Sequence, residues 1–304
     1  MHMEKIKQKI SKNGINKGKR GIYDKRNKLN DLTSKEWIPE TISVFLQKGL
    51  GAKHKDTEIE RMHPAPYSYQ DVSRLINFFT KKNQKVLDPF LGVGSTLKST
   101  ALSGRFGYGI ELMKKYSNLS KKRLKKEINN FPEKYLEQKI INGDAITEIK
   151  KFNDDFFDFI VTSPPYWNIL EKIDHKAKQE RVNKNLDTKY SNGNKKDIST
   201  IKDYNTFIQV LGDFFDDCHK ILKNKKYIAI VVSDIRHKDR LYPFHTDLTN
   251  YIESKNNFVL KGITILYQSR KKIFPYGYPY AYVPNIHHQY ILILQNEKEK
   301  NSKK

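Results

Sequence analysis

Hydrophobic and polar positions alternate along the middle of the chain with two different spacings. Short apolar runs at residues 85–88 and 106–111 predict buried strands, and helical spacing over about 94–103 and 113–130 predicts the helices that follow them. The alternation continues with the strand KIING, a connecting helix and the strand FFDFIVT. Repeated strand–helix–strand units predict a doubly wound, mainly parallel sheet of the α/β class.

The second half of the chain extends this sheet. The segment IKDYNTFIQVLGDFFDDCHKILK carries apolar residues every three or four positions, which predicts a core-facing helix with Cys218 packed in its stripe. The strand YIAIVVSD and a helix over about 245–254 follow, and then the strands NFVLKGITILYQ and HHQYILILQ. We expect seven strands in all, with the last two forming an antiparallel hairpin at one edge of the sheet.

Two regions lack such periodicity. Residues 1–36 are rich in Lys, Asn and Gly, which predicts a basic, disordered tail before a single domain over residues 37–304. Residues 168–200 are charged and polar, which predicts a loop inserted into that domain. Because loops of this length inside a domain often carry function, the insertion is also a candidate for substrate contact.

The chain is strongly basic. Its 57 Lys and Arg residues against 34 Asp and Glu residues give a formal net charge of +23, which favours a polyanionic partner, although Lys-rich composition is also common in AT-rich genomes. The single cysteine excludes an intramolecular disulfide, and no Cys/His group has zinc-ligand spacing, so we expect a cytoplasmic setting and no metal. No apolar run approaches the roughly 20 residues that cross a bilayer.

A glycine turn, LDPFLGVGST, joins the first strand to its helix. Gly92 and Gly94 allow the backbone to approach a ligand closely, and the helix N-terminus that follows is electropositive. A dinucleotide fingerprint would need a third glycine near position 97, where Leu97 stands. The turn alone therefore does not identify the ligand. A nicotinamide dehydrogenase is one alternative for the strand–helix pattern, and the missing third glycine counts against it.

Acidic residues end three successive predicted strands. Asp88 precedes the glycine turn, Glu111 follows 23 residues later, and Asp144 ends the third strand. Carboxyl ends of parallel strands meet at one edge of an open sheet, where ligands bind, and an acidic residue there can accept hydrogen bonds from ribose hydroxyls. Each residue alone would also fit a helix cap or a solvated strand end.

The stretch VTSPPYWNIL places two prolines directly after the fourth strand. Each proline fixes its own φ and lacks an N–H, and the first also biases the preceding residue toward an extended conformation. The result is a rigid platform that presents Ser163, Tyr166 and Trp167. A strand end closed by a proline turn, with no catalytic role, is the alternative.

The motifs LDPFLGVGST, GIEL, NGD and TSPPYW, in this order, resemble those of the amino-directed DNA methyltransferases, which use S-adenosylmethionine to methylate cytosine N4 or adenine N6. HPAPYS, upstream of the glycine turn, resembles the family segment that closes over the methionine end of the cofactor, and the motif order resembles the gamma-type arrangement. The resemblance covers about residues 60–295. It implies a Rossmann-like methyltransferase fold, S-adenosylmethionine as cofactor, a base flipped out of double-stranded DNA as substrate, and a cognate restriction endonuclease as a candidate partner.

The resemblance also implies roles for individual residues. Glu111 would hold the ribose hydroxyls, and Asp144 would accept from the adenine amino group. The full implied cofactor set is Asp88, Phe90, Gly92, Gly94, Ser95, Thr96, Glu111, Asp144, Ala145, His63 and Pro64.

The implied catalytic residues are those of the proline platform. Ser163 Oγ and the Pro164 carbonyl would accept the two N–H bonds of the target amino group, Pro165 would stiffen the backbone, and Tyr166 would stack on the base. Serine at the first position favours cytosine N4, whereas aspartate is more typical of adenine N6. Adenine N6 methylation, RNA base methylation and a non-catalytic nucleotide-binding protein remain alternatives, and the absence of a Pro-Cys pair disfavours carbon-5 methylation.

Two segments are candidates for DNA contact, namely the insertion and residues 234–285. In the second, basic and aromatic residues are interleaved, which suits phosphate anchoring combined with base stacking, although a solvated surface loop would have the same composition. The predicted DNA-contacting residues are Trp167, Arg236, Lys238, Arg240, Arg270, Lys271, Lys272 and Tyr276.

Overall fold

A computed structural model describes residues 13–48, 57–64, 67–128, 138–167, 182–183, 187–188, 190–191, 193–237 and 240–298. Its strands are β1 (Gly14–Asn16), β2 (Ile22–Asp24), β3 (Val44–Leu46), β4 (Lys85–Asp88), β5 (Phe106–Glu111), β6 (Gln138–Asn142), β7 (Phe157–Thr162), β8 (Leu222–Val232), β9 (Ile235–His237), β10 (Arg240–Tyr242), β11 (Phe258–Tyr267) and β12 (His288–Asn296). Its α-helices are α1 (Ser34–Trp37), α2 (Thr57–Glu60), α3 (Tyr69–Phe79), α4 (Ser95–Ser103), α5 (Lys114–Glu127), α6 (Ala145–Glu148), α7 (Tyr204–Ile221) and α8 (Phe244–Ser254).

Within the described part of the chain, eight strands form one sheet in the order β3-β11-β12-β8-β7-β4-β5-β6. Strands β4 to β8 run parallel, β12 is antiparallel to both β8 and β11, and β3 pairs parallel to β11. The predicted α/β class, the mainly parallel sheet and the antiparallel β11–β12 pair are confirmed. The sheet has eight strands and not seven, because β3 covers the outer edge of that pair and is too short to give a periodic signal.

Helices cover both faces of the sheet, as a doubly wound fold requires. Strand β7 is buried along its whole length. On one face its residues pack with α7 and α8, and Cys218 lies fully buried in the predicted stripe of α7. On the other face Phe159 and Val161 pack with α3.

Residues 13–36 differ from the predicted disordered tail. They contain the β1–β2 hairpin and the start of α1, where Thr33 and Glu36 form a capping box. Asn30 is fully buried and donates from Nδ2 to the Phe78 carbonyl at 2.6 Å, which ties the segment to α3. Hydrogen bonds of polar side chains hold this segment, and it has no apolar stripe. Its composition is therefore the same as that of a disordered tail, which is why the sequence predicted one. Residues 1–12 lie outside the described part of the chain.

Within the described ranges, no helix has the length and apolar character needed to cross a membrane. The same residues contain no cluster of three or more His, Cys, Asp or Glu side chains that could hold a metal ion.

Candidate cofactor and catalytic site

A pocket opens where β4, β5, β6 and β7 end. Ligands of open α/β sheets bind at this end of the strands. The structure brings together at its wall nine of the residues predicted for the cofactor and catalytic sites, namely His63, Phe90, Gly92, Glu111, Asp144, Ala145, Ser163, Pro164 and Pro165.

Glu111 at the end of β5 joins the pocket to the glycine turn. Its Oε2 accepts from the Gly92 N–H at 2.8 Å and its Oε1 accepts from the Met113 N–H at 2.8 Å. Burial raises the pKa of the Glu111 carboxyl to about 7, although both amide donors oppose that shift. The carboxyl is therefore held in one orientation, with acceptor capacity left for a hydroxyl-bearing ligand.

The two glycines of the turn have different roles. Gly92 has φ +56°, lines the pocket and lies beside the ring of His63. Gly94 has φ +85°, and a Cβ there would stand 2.2 Å from Ser120 Oγ. Gly92 therefore leaves space for a ligand, whereas Gly94 allows the close approach of α5 behind the turn.

Asp88 lies behind the pocket wall. It is fully buried, and its carboxylate accepts from the hydroxyls of Tyr67 at 2.6 Å, Thr162 at 2.6 Å and Thr96, and from the Phe90 N–H at 3.1 Å. Burial raises the pKa of Asp88 while these hydrogen bonds act in the opposite direction. The residue thus connects β4, β7, α4 and the segment upstream of α3, and it shapes the turn from behind.

Four further predicted cofactor residues also lie outside the pocket wall, namely Pro64, Gly94, Ser95 and Thr96. The Ser95 hydroxyl donates to the Tyr67 carbonyl at 2.8 Å, and the Thr96 hydroxyl is bound to Asp88. Sequence reasoning gave Tyr67 no contact of its own, although it belongs to the HPAPYS segment. Its hydroxyl pairs with a carboxylate 21 residues away, which no local pattern indicates.

Asp144 forms the N-cap of α6. Its Oδ1 accepts from the Ile146 N–H at 3.2 Å, and its Oδ2 accepts from the Thr147 hydroxyl at 3.2 Å. Asp144 and the buried Ala145 both line the pocket. A charged acceptor beside a small apolar surface suits a heteroaromatic ring with an amino group.

The proline platform forms the opposite wall of the same pocket. Ser163, Pro164 and Pro165 line it directly after β7. Tyr166 is only 7% exposed, lies outside the pocket wall and packs edge to face on Phe244 with ring centroids 6.0 Å apart. Its hydroxyl accepts a hydrogen bond from Gln289 Nε2 at 3.2 Å. The structure therefore exposes Ser163 to the pocket and holds Tyr166 behind it.

Trp167 is buried and not presented to DNA. It is 5% exposed, and its Nε1 donates to the Lys202 carbonyl at 3.2 Å. Its ring packs on Tyr204 and Tyr242 with centroids 5.2 and 5.1 Å away. The packing role that the sequence also allowed for Trp167 is the one the structure has.

The insertion contributes residues to the pocket that the sequence analysis did not identify, namely Tyr190, Ser191, Lys196, Asp197 and Ile198. Ser191 donates to Asp197 Oδ2 at 2.6 Å, and Asp197 caps a short 3₁₀ turn over residues 198–200. The segment has no hydrophobic periodicity. The one signal in its sequence is the presence of Tyr and Ile residues within a polar run, which indicates packing against the rest of the domain.

The loop between β11 and β12, residues 268–287, is named here the aromatic loop. Its exposed side chains include Ile273 (76%), Tyr278 (81%), Tyr280 (94%) and Tyr282 (91%). Asn285 clamps the loop, because its side chain accepts from the Phe274 N–H at 3.0 Å and donates to the Phe274 carbonyl at 2.8 Å. The tyrosines thus project from a loop with internal hydrogen bonds.

Four of the predicted basic residues lie in the aromatic loop or contact it, namely Arg236, Arg270, Lys271 and Lys272. Arg270, Lys271 and Lys272 are exposed within it. Arg236 donates to the Pro284 carbonyl, and its guanidinium lies 5.7 Å from the half-exposed Tyr276 ring. Arg240 lies over Tyr242 at 5.0 Å. The predicted Lys238 lies outside the described residues.

Comparisons with known proteins add a family to this geometry. The sequence model of the N6/N4 DNA methylase family matches residues 3–122 and 157–304. The chain is similar to the type II methyltransferase M.BglII of Bacillus subtilis, with 35% identity over an alignment that covers 25% of this chain and 22% of the relative. It is also similar to the uncharacterized protein MJ1233 of Methanocaldococcus jannaschii, with 34% identity over 43% of this chain and 41% of the relative. It spans about a fifth to two fifths of the length of these relatives. Among solved structures, TTHA0409 of Thermus thermophilus in complex with S-adenosyl-L-methionine is 19% identical, with a TM-score of 0.35. The superposition covers 53% of this chain and 56% of TTHA0409.

Proposed function

Because the chain belongs to the N6/N4 DNA methylase family, we propose that it transfers a methyl group from S-adenosylmethionine to the exocyclic amino group of a base in DNA. The family consists of S-adenosylmethionine-dependent methyltransferases. One observation carries the proposal beyond family membership. Ser163 and Pro164 of the platform share one pocket with Gly92, Glu111 and Asp144.

The residues of the pocket fit the proposed cofactor. Glu111 offers carboxyl oxygens to ribose hydroxyls, and Asp144 offers a carboxylate to an adenine amino group. Phe90, Ile110 and Ile198 supply apolar walls for a flat ring. When bound, the cofactor supplies the electrophilic methyl group.

The platform orients the target amino group. The lone pair of an amino group on cytosine or adenine is delocalised into the ring, so acceptors on its two N–H bonds are needed to favour a pyramidal nitrogen. We assign this role to Ser163 Oγ and the Pro164 carbonyl. Pro164 and Pro165 restrict the backbone that holds the carbonyl, and a fixed acceptor direction favours the reactive geometry. No covalent bond to the protein is required.

Cytosine N4 is the favoured target atom, since serine stands at position 163. Adenine N6 is the second candidate and would use the same two acceptors. Stacking of a flipped base on Tyr166 requires a change from the described packing, in which Phe244 and Gln289 hold that side chain. We therefore propose that Ser163 Oγ and the Pro164 carbonyl are the primary contacts of the amino group.

The aromatic loop is the proposed DNA contact. Exposed Arg270, Lys271 and Lys272 suit phosphates, and the exposed rings of Tyr278 and Tyr280 suit stacking on bases. If ~6 to 10 phosphates are contacted, affinity should fall by about three to five orders of magnitude between low and moderate salt. A cognate restriction endonuclease is a further proposed partner.

The test is incubation of the protein with labelled S-adenosylmethionine and separate pools of DNA and RNA, followed by mass spectrometry of the nucleosides. We expect label in DNA as N4-methylcytosine. N6-methyladenine would overturn the cytosine assignment and keep DNA amino methylation. Label only in RNA would overturn DNA as substrate, and no label in either pool, with binding of the cofactor verified by calorimetry, would overturn the methyltransferase proposal.

A further inference from the structure

Tyr190 brings the insertion against both halves of the site. It lines the pocket, and its ring centroid lies 5.9 Å from that of His63. His63 lies edge to face on Tyr116, with centroids 4.7 Å apart. The three rings form one side of the pocket next to Gly92.

The hydroxyl of Tyr190 contacts the backbone of the proline platform. The hydroxyl oxygen of Tyr190 lies beside the Tyr166 N–H. Because Pro164 and Pro165 carry no N–H, this amide is the first donor that the backbone offers after Ser163. The Tyr190 hydroxyl is therefore placed beside the first backbone donor of the platform.

Two anchors hold the segment that carries Tyr190. On one side Asp187 accepts from Lys115 Nζ at 2.7 Å and from the Tyr116 hydroxyl at 2.9 Å, both on α5. On the other side the buried Asp197 accepts from the Ser191 hydroxyl at 2.6 Å. The ring and hydroxyl of Tyr190 thus have a defined position between α5 and the platform.

We propose that Tyr190 is a positioning residue with two separable roles. Its hydroxyl fixes the backbone that carries the Ser163 and Pro164 acceptors, and its ring completes the wall of the cofactor pocket. The first role rests on the proposed function, because it concerns the rate of methyl transfer. The second role concerns cofactor binding alone, so it is tested without any nucleic acid.

Two substitutions separate the roles. Tyr190→Phe removes the hydroxyl and keeps the ring, so we expect methyl transfer in a single turnover to slow by about tenfold or more, with affinity for S-adenosylmethionine within about twofold of wild type. Tyr190→Leu removes the ring as well, and we expect it to weaken cofactor binding by about tenfold in calorimetry. Tyr251→Phe is the matched control, since it removes a tyrosine hydroxyl that donates to Asp213 at 2.9 Å between α8 and α7.

Hydrogen exchange reads the hydroxyl contact without catalysis. A peptide over residues 162–167 has few exchangeable amides, because its two prolines carry no N–H. A change in its exchange rate can therefore be assigned to few positions, and Tyr166 is one of them. We expect faster exchange at Tyr166 in Tyr190→Phe and no change in Tyr251→Phe.

Unchanged exchange together with an unchanged rate in Tyr190→Phe would overturn the hydroxyl role, and unchanged affinity in Tyr190→Leu would overturn the ring role. Thermal unfolding of each variant separates these outcomes from loss of the fold. A wild-type protein that binds the cofactor but methylates neither DNA nor RNA would overturn the proposed function, and the affinity of Tyr190→Leu would still decide the ring role.

Discussion

The glycine turn follows β4 and the aromatic loop follows β11. Both lie at the same end of the sheet, because the two strands run in the same direction. They differ in where their polar and aromatic groups find partners. In the turn, the Asp88 carboxylate is fully buried and bonded to three hydroxyls and one amide. In the loop, Tyr280 and Tyr282 are more than 90% exposed. Internal hydrogen bonds thus shape the turn, as a small-molecule site needs, whereas the loop leaves its rings exposed, as the proposed contact with DNA would need.

The strongest test of this comparison is the buried ion-pair network behind the turn. Arg123 is fully buried and bonds Glu60 at 2.8 Å, Glu127 at 3.0 Å and Ser95 Oγ at 3.0 Å. Arg123→Met would remove the cation that Glu60 binds and one of the two cations that Glu127 binds, the other being Lys98 at 2.7 Å, so the free energy of unfolding should fall by about 3–5 kcal/mol in urea titrations.

The matched control for Arg123→Met is Arg270→Met in the aromatic loop. That arginine is exposed, so we expect a change within about 0.5 kcal/mol. Equal losses in the two variants would contradict the distinction between a preformed turn and an externally directed loop.

A second effect comes from Glu111. Burial raises its pKa from 4.5 to about 7 in the folded protein. Between these values the folded state keeps a proton that the unfolded chain has lost, so the contribution to stability is full below about pH 4.5 and is lost as pH rises to about 7. The loss should reach about 3 kcal/mol, and Glu111→Gln should remove it. Urea unfolding at pH 5 and pH 8 measures this difference, and equal pH dependence in both proteins would argue against a buried, protonated Glu111.

Ser163→Ala addresses chemistry and not folding. It removes one of the two proposed acceptors, so methyl transfer should slow by roughly 10²-fold, while affinity for S-adenosylmethionine stays within about twofold. Single-turnover assays and calorimetry measure the two quantities. Ser103→Ala, at the end of α4, removes a hydroxyl that donates to the Ser99 carbonyl and should alter neither. A Ser163→Ala variant with the wild-type rate would remove Ser163 from the proposed mechanism.

Much of the core near the glycine turn could be predicted from the sequence. The strands β4 and β5 and the helix between them combine apolar runs, glycines and helical spacing within 27 residues, so local signals were sufficient there. The β1–β2 hairpin and β3 could not be predicted, because three-residue strands give no periodic signal. These short strands are held in place by contacts of their region with α3 and β11, which lie far away in the sequence.

The site was predictable to the extent that residues follow strand ends. Glu111, Asp144 and Ser163 all reach the pocket, as parallel strand topology requires. The burial of Trp167 depends on Tyr204 and Tyr242, and the position of Tyr190 depends on His63. The residues in these contacts are separated by between 37 and 127 positions in the sequence. A pattern within a short window contains no information about such contacts.

The smallest expected effect concerns single charges on the surface. Lys272→Ala removes one exposed cation from the aromatic loop, so affinity for DNA should fall about fivefold at moderate salt and the slope of log affinity against log salt should decrease by about 1. Lys121→Ala is the control, because this exposed residue lies on α5, which packs on β5 and β6 at the far end of the sheet from β11. Titrations of DNA at several salt concentrations measure both variants. Equal losses would mean that the net positive charge attracts DNA without a defined contact surface, whereas a loss confined to Lys272→Ala assigns the contact to the aromatic loop.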